Sequence, residues 1–239
     1  MHKPLIDRIL YQDNHLIVVN KLPSEIVQGD KTGDPSLLDE VKEYLRISRH
    51  KPGDAYAGLV HRIDRPVSGC VLYATTSKAL SRLTQMVKSR EVDKTYWAVV
   101  RNLPPHPSGT LQHYLLKNEK LNKSFTVDAD RPGAKQAVLE YSILKQGKTL
   151  HLLSVKLLTG RHHQIRAQLA AMGCPIAGDL KYGDTRSISK GAIALHARSL
   201  RFVHPVSKTA LYIEAPPPQQ MPWEALLRDS AGEEKTQIL

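Results

Sequence analysis

His61-Arg62-Ile63-Asp64-Arg65-Pro66-Val67-Ser68-Gly69 is the densest polar stretch of the chain, and it lies between two apolar runs. Ala57-Gly58-Leu59-Val60 precedes it, and Val71-Leu72-Tyr73-Ala74 follows with the length and β-rich composition of a buried strand. Charged residues between two such runs sit at the edge of a core, where clefts form. Asp64 has Arg62 and Arg65 as close chain neighbours. A guanidinium facing it would hold the carboxyl ionised, and an ionised carboxylate in a dry cleft can act as a nucleophile. The same residues also fit a plainer arrangement, a turn-capping aspartate in arginine salt bridges, which is the commoner role of Asp in loops.

Working outward, His15–Asn20 (HLIVVN) predicts a second buried strand, ending at Lys21-Leu22-Pro23. Residues 29–36 carry turn chemistry, and Ser36-Leu37-Leu38-Asp39 resembles a capping box that opens a helix with Leu37, Leu38, Val41 and Leu45 on one face. A loop is predicted over 46–58. Ser77 is placed to cap a helix in which Leu80, Leu83 and Val87 repeat. Lys78, Arg82, Lys88 and Arg90 ride on that segment as a solvated face or a phosphate-tracking one. Thr95–Val100 predicts a strand, Pro104, Pro105 and Pro107 break the chain, and 111–158 reads as several strands, among them 137–144 and 149–158. A helix follows Thr159-Gly160, with Ile165, Leu169 and Met172 inward and its end at Gly173. Further strands fit 192–195 and 210–214. Strands with a few interspersed helices, without regular alternation, predict an α+β fold. One domain over 1–228 and a frayed polar tail over 229–239 are expected.

Two more polar knots stand out. Arg161, His162, His163, Gln164 and Arg166 crowd the start of a predicted helix, a donor-rich surface suited to an anion. His162 and His163 are expected to point apart on that helix and are poorly spaced for one metal. In residues 194–205, His196 and His204 flank a predicted strand and read best as core or hydrogen-bonded histidines. No Gly-rich nucleotide loop occurs. The 239 residues hold 34 Lys plus Arg against 23 Asp plus Glu, a net charge of +11 that suits a polyanionic partner. Aromatic residues make up 5%, which argues against binding through many stacked bases. Two cysteines, Cys70 and Cys174, make neither a disulfide framework nor a zinc site and read as small buried residues. With no signal-peptide-like run and no membrane-length apolar stretch, a cytoplasmic protein is expected.

Taken in order, these motifs resemble those of the RluA-type pseudouridine synthases. HRIDRPVSG followed by VLYATTSKAL is similar to the family's catalytic motif, and Lys94-Thr95-Tyr96 before a strand fits its next one. Residues 159–183 resemble the third motif, 195–205 the late motif, and Asn20 to Pro23 the early NK-x-P. The register holds from about residue 8 to Trp223. The sequence departs from the pattern at Val67 (often Thr), at Lys21-Leu22-Pro23-Ser24 (usually a Lys-Pro-Gly-like turn) and at Gln168 (usually His).

The resemblance implies an α+β fold with a mixed, largely antiparallel sheet, flanking helices and a catalytic cleft across the sheet. It implies a cofactor-free, metal-free isomerase that turns specific uridines of structured tRNA or rRNA into pseudouridine. Asp64 is then the catalytic carboxylate, Tyr96 lies beneath the uracil, and Arg166 pairs with Asp64. Ile165 completes an apolar wall, Arg62 fills the space left by a flipped-out base, and His61, Arg65, Lys94 and Arg161 stand on the substrate-binding side. The chain is similar to short members that lack an N-terminal RNA-binding module of the S4 type, and a monomer is expected. HRIDRP is especially like the tRNA-modifying and dual-specificity branches. Two rivals use the same residues: a non-catalytic RNA-binding factor on this scaffold, and a hydrolase, either an N-glycosidase, which would want a second carboxylate, or a metal-dependent hydrolase using the histidines. Asp179 is the nearest motif candidate for that second group.

Overall fold

The computed structural model describes residues 3–29, 33–189 and 191–228. The tail expected over 229–239 lies outside them. In chain order the elements are β1 (Ile9–Gln12), β2 (Leu16–Lys21), α1 (Leu37–Ser48), β3 (Gly58–Leu59), β4 (Ser68–Ala74), α2 (Ser77–Lys88), β5 (Asp93–Val100), β6 (Ser108–Asn118), β7 (Lys123–Val127), β8 (Lys135–Gln146), β9 (His151–Leu157), α3 (Gln164–Ala171), β10 (Leu195–Val203), β11 (Ala210–Glu214) and α4 (Trp223–Arg228). The described residues form two compact units, one within Met1–Lys94 and Ala197–Pro216, the other within Thr95–His196 and Pro217–Leu239. The class is α+β with a largely antiparallel sheet, as expected.

In the first unit the strand order is β1-β2-β4-β10, with β3 also on β4 and β11 on β10. The β1–β2, β2–β4, β3–β4 and β10–β11 pairs are antiparallel. All seven residues of β4 are buried, which explains a strand that reads as an unbroken apolar run. Leu16, Val18, Cys70, Leu72, Leu83 and Phe202 share one core. β4 starts at Ser68, earlier than the expected 71, because Gly69 supplies what the strand needs there. Its φ is +113°, and a Cβ at this position would lie 2.2 Å from the Ala197 carbonyl oxygen. Only glycine permits both. Burial pushes the Cys70 thiol up to about 12, so it stays protonated in the core.

The capping box read at Ser36 is present: the Ser36 hydroxyl accepts the Asp39 N–H, and the Asp39 carboxylate reaches back to the Ser36 backbone. α1 runs on to Ser48, so residues 46–48, expected in a loop, are helical. The cap of α2 is Thr76, not Ser77; its hydroxyl accepts the Ala79 N–H at 3.2 Å. That moves the helix start by one residue and leaves Ala79 and Leu83 as its buried positions.

In the second unit the order is β5-β9-β8-β6-β7, antiparallel throughout. The strand expected at 192–195 is not formed there. Ala194 instead exchanges single backbone bonds with Val99 and Ala177, and β10 begins only at Leu195. α3 is followed by Met172 as C-cap and by Gly173 at φ +81°, the left-handed stop anticipated for glycine. All of Gln164 to Leu169 is buried. No helix among the described residues is long and apolar enough to cross a membrane.

Candidate active site

The loop between β3 and β4 carries Asp64. Buried His61, Ile63 and Val67 alternate with exposed Arg62 and Arg65, and Asp64 itself is half-buried. The Val67 N–H closes a turn onto the Asp64 carbonyl at 3.0 Å. Arg65 turns its guanidinium to Asp34, with Nη2 2.7 Å from Oδ2, and gives its Nε–H to the Ser24 carbonyl at 3.0 Å. The expected arginine salt bridge is therefore present at Arg65, but Asp34 receives it.

Beneath this loop lies a residue that the sequence did not single out. Lys21, at the end of β2, is fully buried, and its Nζ donates to the carbonyls of Leu22 and Glu25 at 2.8 Å and of Arg65 at 2.9 Å. Burial pulls the ammonium down to about 7, while the negative charges of Glu25 and Asp64 oppose the shift. Three accepting carbonyls call for three N–H donors, which only the charged form supplies. The Arg65 carbonyl also accepts the Ser24 N–H at 2.9 Å. The backbone next to Asp64 is thus fixed twice. Lys21 closes an apolar run just before Pro23 and is the lysine of the early NK-x-P motif; those were the available signals.

His61 points into the unit. Its Nε2 accepts the Leu72 N–H at 3.3 Å, which places the proton on Nδ1, an atom with no hydrogen-bond partner among the described residues. Burial pushes the imidazole down to about 3, helped by the charge of Lys94. Lys94 is half-buried at the start of β5, and burial lowers its ammonium too.

In the second unit Tyr96 lies on β5 opposite Val155, buried, and Ile165 is buried on α3. Arg166 is 5% exposed and lies in a nest of its own. Its Nε and Nη2 form a fork on Asp179, at 2.7 Å to Oδ2 and 2.9 Å to Oδ1, with both side chains buried. Nη1 is 3.0 Å from His163 Nε2. The guanidinium carbon also stands 5.0 Å from the ring centroid of Tyr182. Asp179 and Tyr182 belong to one short turn, closed by the Tyr182 N–H on the Asp179 carbonyl at 3.0 Å. Asp179 was noted in the sequence as the nearest motif candidate for a second carboxylate; its place beside Arg166 was not foreseen.

The helix start departs from expectation in two ways. His162 and His163 do not point apart; their rings stack at 3.8 Å and 20°. Both precede α3, and His163 takes a left-handed φ of +51°, so helical geometry does not separate them. Nor is the knot an open donor surface. Gln164 accepts the Arg161 N–H at 2.9 Å and the Thr159 hydroxyl at 2.8 Å, while Arg166 and His163 are buried. Arg161 alone of these stays exposed, its Nε–H on the Gln136 carbonyl. Gln168, the departure from the motif, ties α3 to β6 and β8 through the Leu111 and Ala137 carbonyls. Among the described residues, no group of three His, Cys, Asp or Glu side chains is placed to hold a metal ion.

Residues 15–171 match the family described as RNA pseudouridylate synthase. The chain belongs to the RNA pseudouridylate synthase family. As a member of it, of the RluA type, the chain is an isomerase. A relative in Bacillus subtilis, named as an uncharacterised RNA pseudouridine synthase YlyB, is 33% identical over 222 residues, covering 92% of this chain and 72% of that one. The ribosomal large subunit pseudouridine synthase C of Buchnera aphidicola is 35% identical over 219 residues, covering 89% of this chain and 68% of its own. Among solved structures, the human RNA pseudouridylate synthase domain containing 4 superposes with a TM-score of 0.75 at 24% identity, over 90% of each chain, and shows the shared fold. In this pseudouridine synthase the two polar knots become two built sites: a half-buried acid on a pinned loop, and a guanidinium held by a carboxylate, an imidazole and an aromatic ring.

Proposed function

We propose that this synthase isomerises uridines in structured RNA, ribosomal RNA foremost, with Asp64 as its catalytic carboxylate. The relatives named ribosomal large subunit pseudouridine synthase favour ribosomal over transfer RNA. One observation carries the residue assignment: Asp64 is half-buried on a loop whose backbone is clamped by a buried lysine, while the arginine next to it is engaged elsewhere. That is the environment of an acid kept accessible and in register.

The reaction breaks N1–C1′ and forms C5–C1′; the C5 hydrogen leaves to solvent and N1 takes up a proton. Attack at C1′, assisted elimination to a glycal and addition at C6 all require the same thing of Asp64, an ionised carboxylate aimed at the nucleotide. Arg166 supplies the matching cation in this reading. Asp179 and His163 take three of the five N–H groups of its guanidinium. Its pairing with Asp64, which the motif resemblance implies, holds that carboxylate charged and oriented in this reading. Tyr96 stacks beneath the uracil, and Ile165 extends the apolar wall. The target base must leave its helix at a cost of a few kcal/mol. Exposed Arg62 fills the gap it leaves, and the basic residues on α2 together with Arg161 offset the cost through phosphate contacts.

The test uses large-subunit ribosomal RNA transcribed with uridine tritiated at C5. Wild-type protein is expected to release tritium to water as C5–C1′ forms. Asp64→Asn should fold, bind the RNA and lose activity by roughly 1000-fold or more. Release by that variant within about tenfold of wild type would sink the assignment.

A further inference from the structure

We infer that His163 is a positioning residue for the catalytic guanidinium, a neutral imidazole locked in one tautomer so that it accepts a hydrogen bond from Arg166; this rests on the reading of Arg166 given above. The tautomer follows from the partners. Arginine can only donate, so the 3.0 Å contact between Nη1 and His163 Nε2 requires a lone pair on Nε2. The proton is then on Nδ1, 3.0 Å from the Tyr182 hydroxyl oxygen, which also receives the Ser124 N–H at 2.8 Å. Tyr182 therefore acts as an acceptor toward His163, and its ring edge meets the imidazole at 76°.

Protonation of His163 would set a second N–H against the guanidinium and break the arrangement. The surroundings resist it. The ring is 8% exposed, and Arg166, His162, Lys181 and Lys117 all face it with positive charge or its potential, while Asp179 binds Arg166 directly. Asp179 grips one edge of the guanidinium and His163 fixes Nη1, so the remaining donors keep one direction. The backbone is committed to the same end: His163 sits at φ +51°, in the left-handed region that non-glycine residues adopt uncommonly and that Asn, Asp and His enter most readily. That turn takes the ring out of helical geometry and swings it back onto a side chain three residues further along.

Two substitutions separate positioning from mere packing. His163→Asn tolerates the left-handed backbone but cannot reach Nη1. His163→Gln places an amide oxygen near the position of Nε2. In the tritium-release assay on transcribed large-subunit ribosomal RNA, His163→Asn should lower kcat about 100-fold with KM within about twofold, the scale expected when a catalytic group is misplaced by about 1 Å. His163→Gln should recover at least about tenfold of that loss. Equal losses for both variants, or a rise in KM at unchanged kcat, would overturn the proposal. A second measurement needs no activity. In protein labelled with nitrogen-15 histidine, the signal removed by His163→Gln should show a protonated Nδ1, a bare Nε2 and no titration between pH 8 and about 5. A protonated Nε2, or titration near pH 6.5, would refute the locked acceptor even if the wild type proves active. A wild type inactive on every RNA tried, with the tautomer as described, would instead fault the catalytic reading.

Discussion

The loop of Asp64 and the nest of Arg166 hold their charged groups by opposite means. Around Asp64 the clamp is on the backbone: a buried ammonium, that of Lys21, collects the carbonyls of Leu22, Glu25 and Arg65 and leaves the acid half-buried. Around Arg166 the clamp is on the side chain: a carboxylate fork, an imidazole lone pair and an aromatic face surround a buried guanidinium. In the reading proposed for Asp64, a group that must meet the substrate gains from a fixed main chain. A group that must orient another gains from having most of its own donors consumed. The difference also predicts how each region fails. A side-chain nest breaks when one partner is lost, because the other charge stays buried. A backbone clamp fails more gently, because carbonyls can find water.

The largest expected effect therefore lies in the nest. Arg166→Met or Asp179→Leu alone should each destabilise the protein by about 3–5 kcal/mol, since each leaves an uncompensated buried charge. The double variant should recover most of that stability, because the charged pair is gone, and under the proposed role of Arg166 it should remain inactive. Urea unfolding of the three variants measures this. A double variant as unstable as the sum of the singles would mean that the nest is not a unit. Any test of Arg166 in catalysis should use the double variant, so that folding loss is not mistaken for lost chemistry.

A smaller effect is expected in the loop. Lys21→Met keeps the length of the side chain and removes the donors, at about 2–3 kcal/mol. If the clamp fixes the register of Asp64, kcat for tritium release should fall while RNA affinity, measured by filter binding, holds within about twofold. Unchanged kcat with reduced stability would make Lys21 a purely structural residue.

The smallest effect compares the two regions in one titration. Each holds one buried neutral histidine, His61 at about 3 and His163 at about 2. The unfolded chain takes up a proton on each near pH 6.5, whereas the folded protein does not. The unfolded state thus binds more protons, and stability must fall as pH drops below about 6.5, by up to about 1.4 kcal/mol per pH unit for each histidine. His113 and His151, also lowered by burial, act in the same direction. Urea midpoints between pH 7 and 5 should shift accordingly, and His163→Asn should make the slope shallower by about one proton. An unchanged slope would place a charged imidazole in the nest and break the contrast drawn above.

Much of the first region was legible in the sequence. The apolar run of β4, the capping box at Ser36 and the acid between two arginines are local signals, set by residues that neighbour one another in the chain. Thr76 displaced Ser77 as the α2 cap because two adjacent hydroxyl residues offer the same chemistry and only the helix path chooses between them. The second region was legible as a motif but not as an arrangement. Arg166 stood out, yet its partner Asp179 lies 13 residues further on and Tyr182 beyond that, in a turn that no periodicity marks. His162 and His163 were expected to diverge because helical spacing was assumed; one left-handed residue reversed the outcome.

The sequence by itself determined the family, the α+β class, the strands with continuous apolar character and the candidate acid, because these depend on composition, period and short motifs. The tertiary structure alone decided that Asp179 forks onto Arg166, that Arg65 serves Asp34, that Lys21 is buried and which nitrogen of His163 carries the proton. Those outcomes depend on distances between residues far apart in the chain, and a buried charge must take whatever partner the packing brings to it, since remaining unpaired out of water costs several kcal/mol.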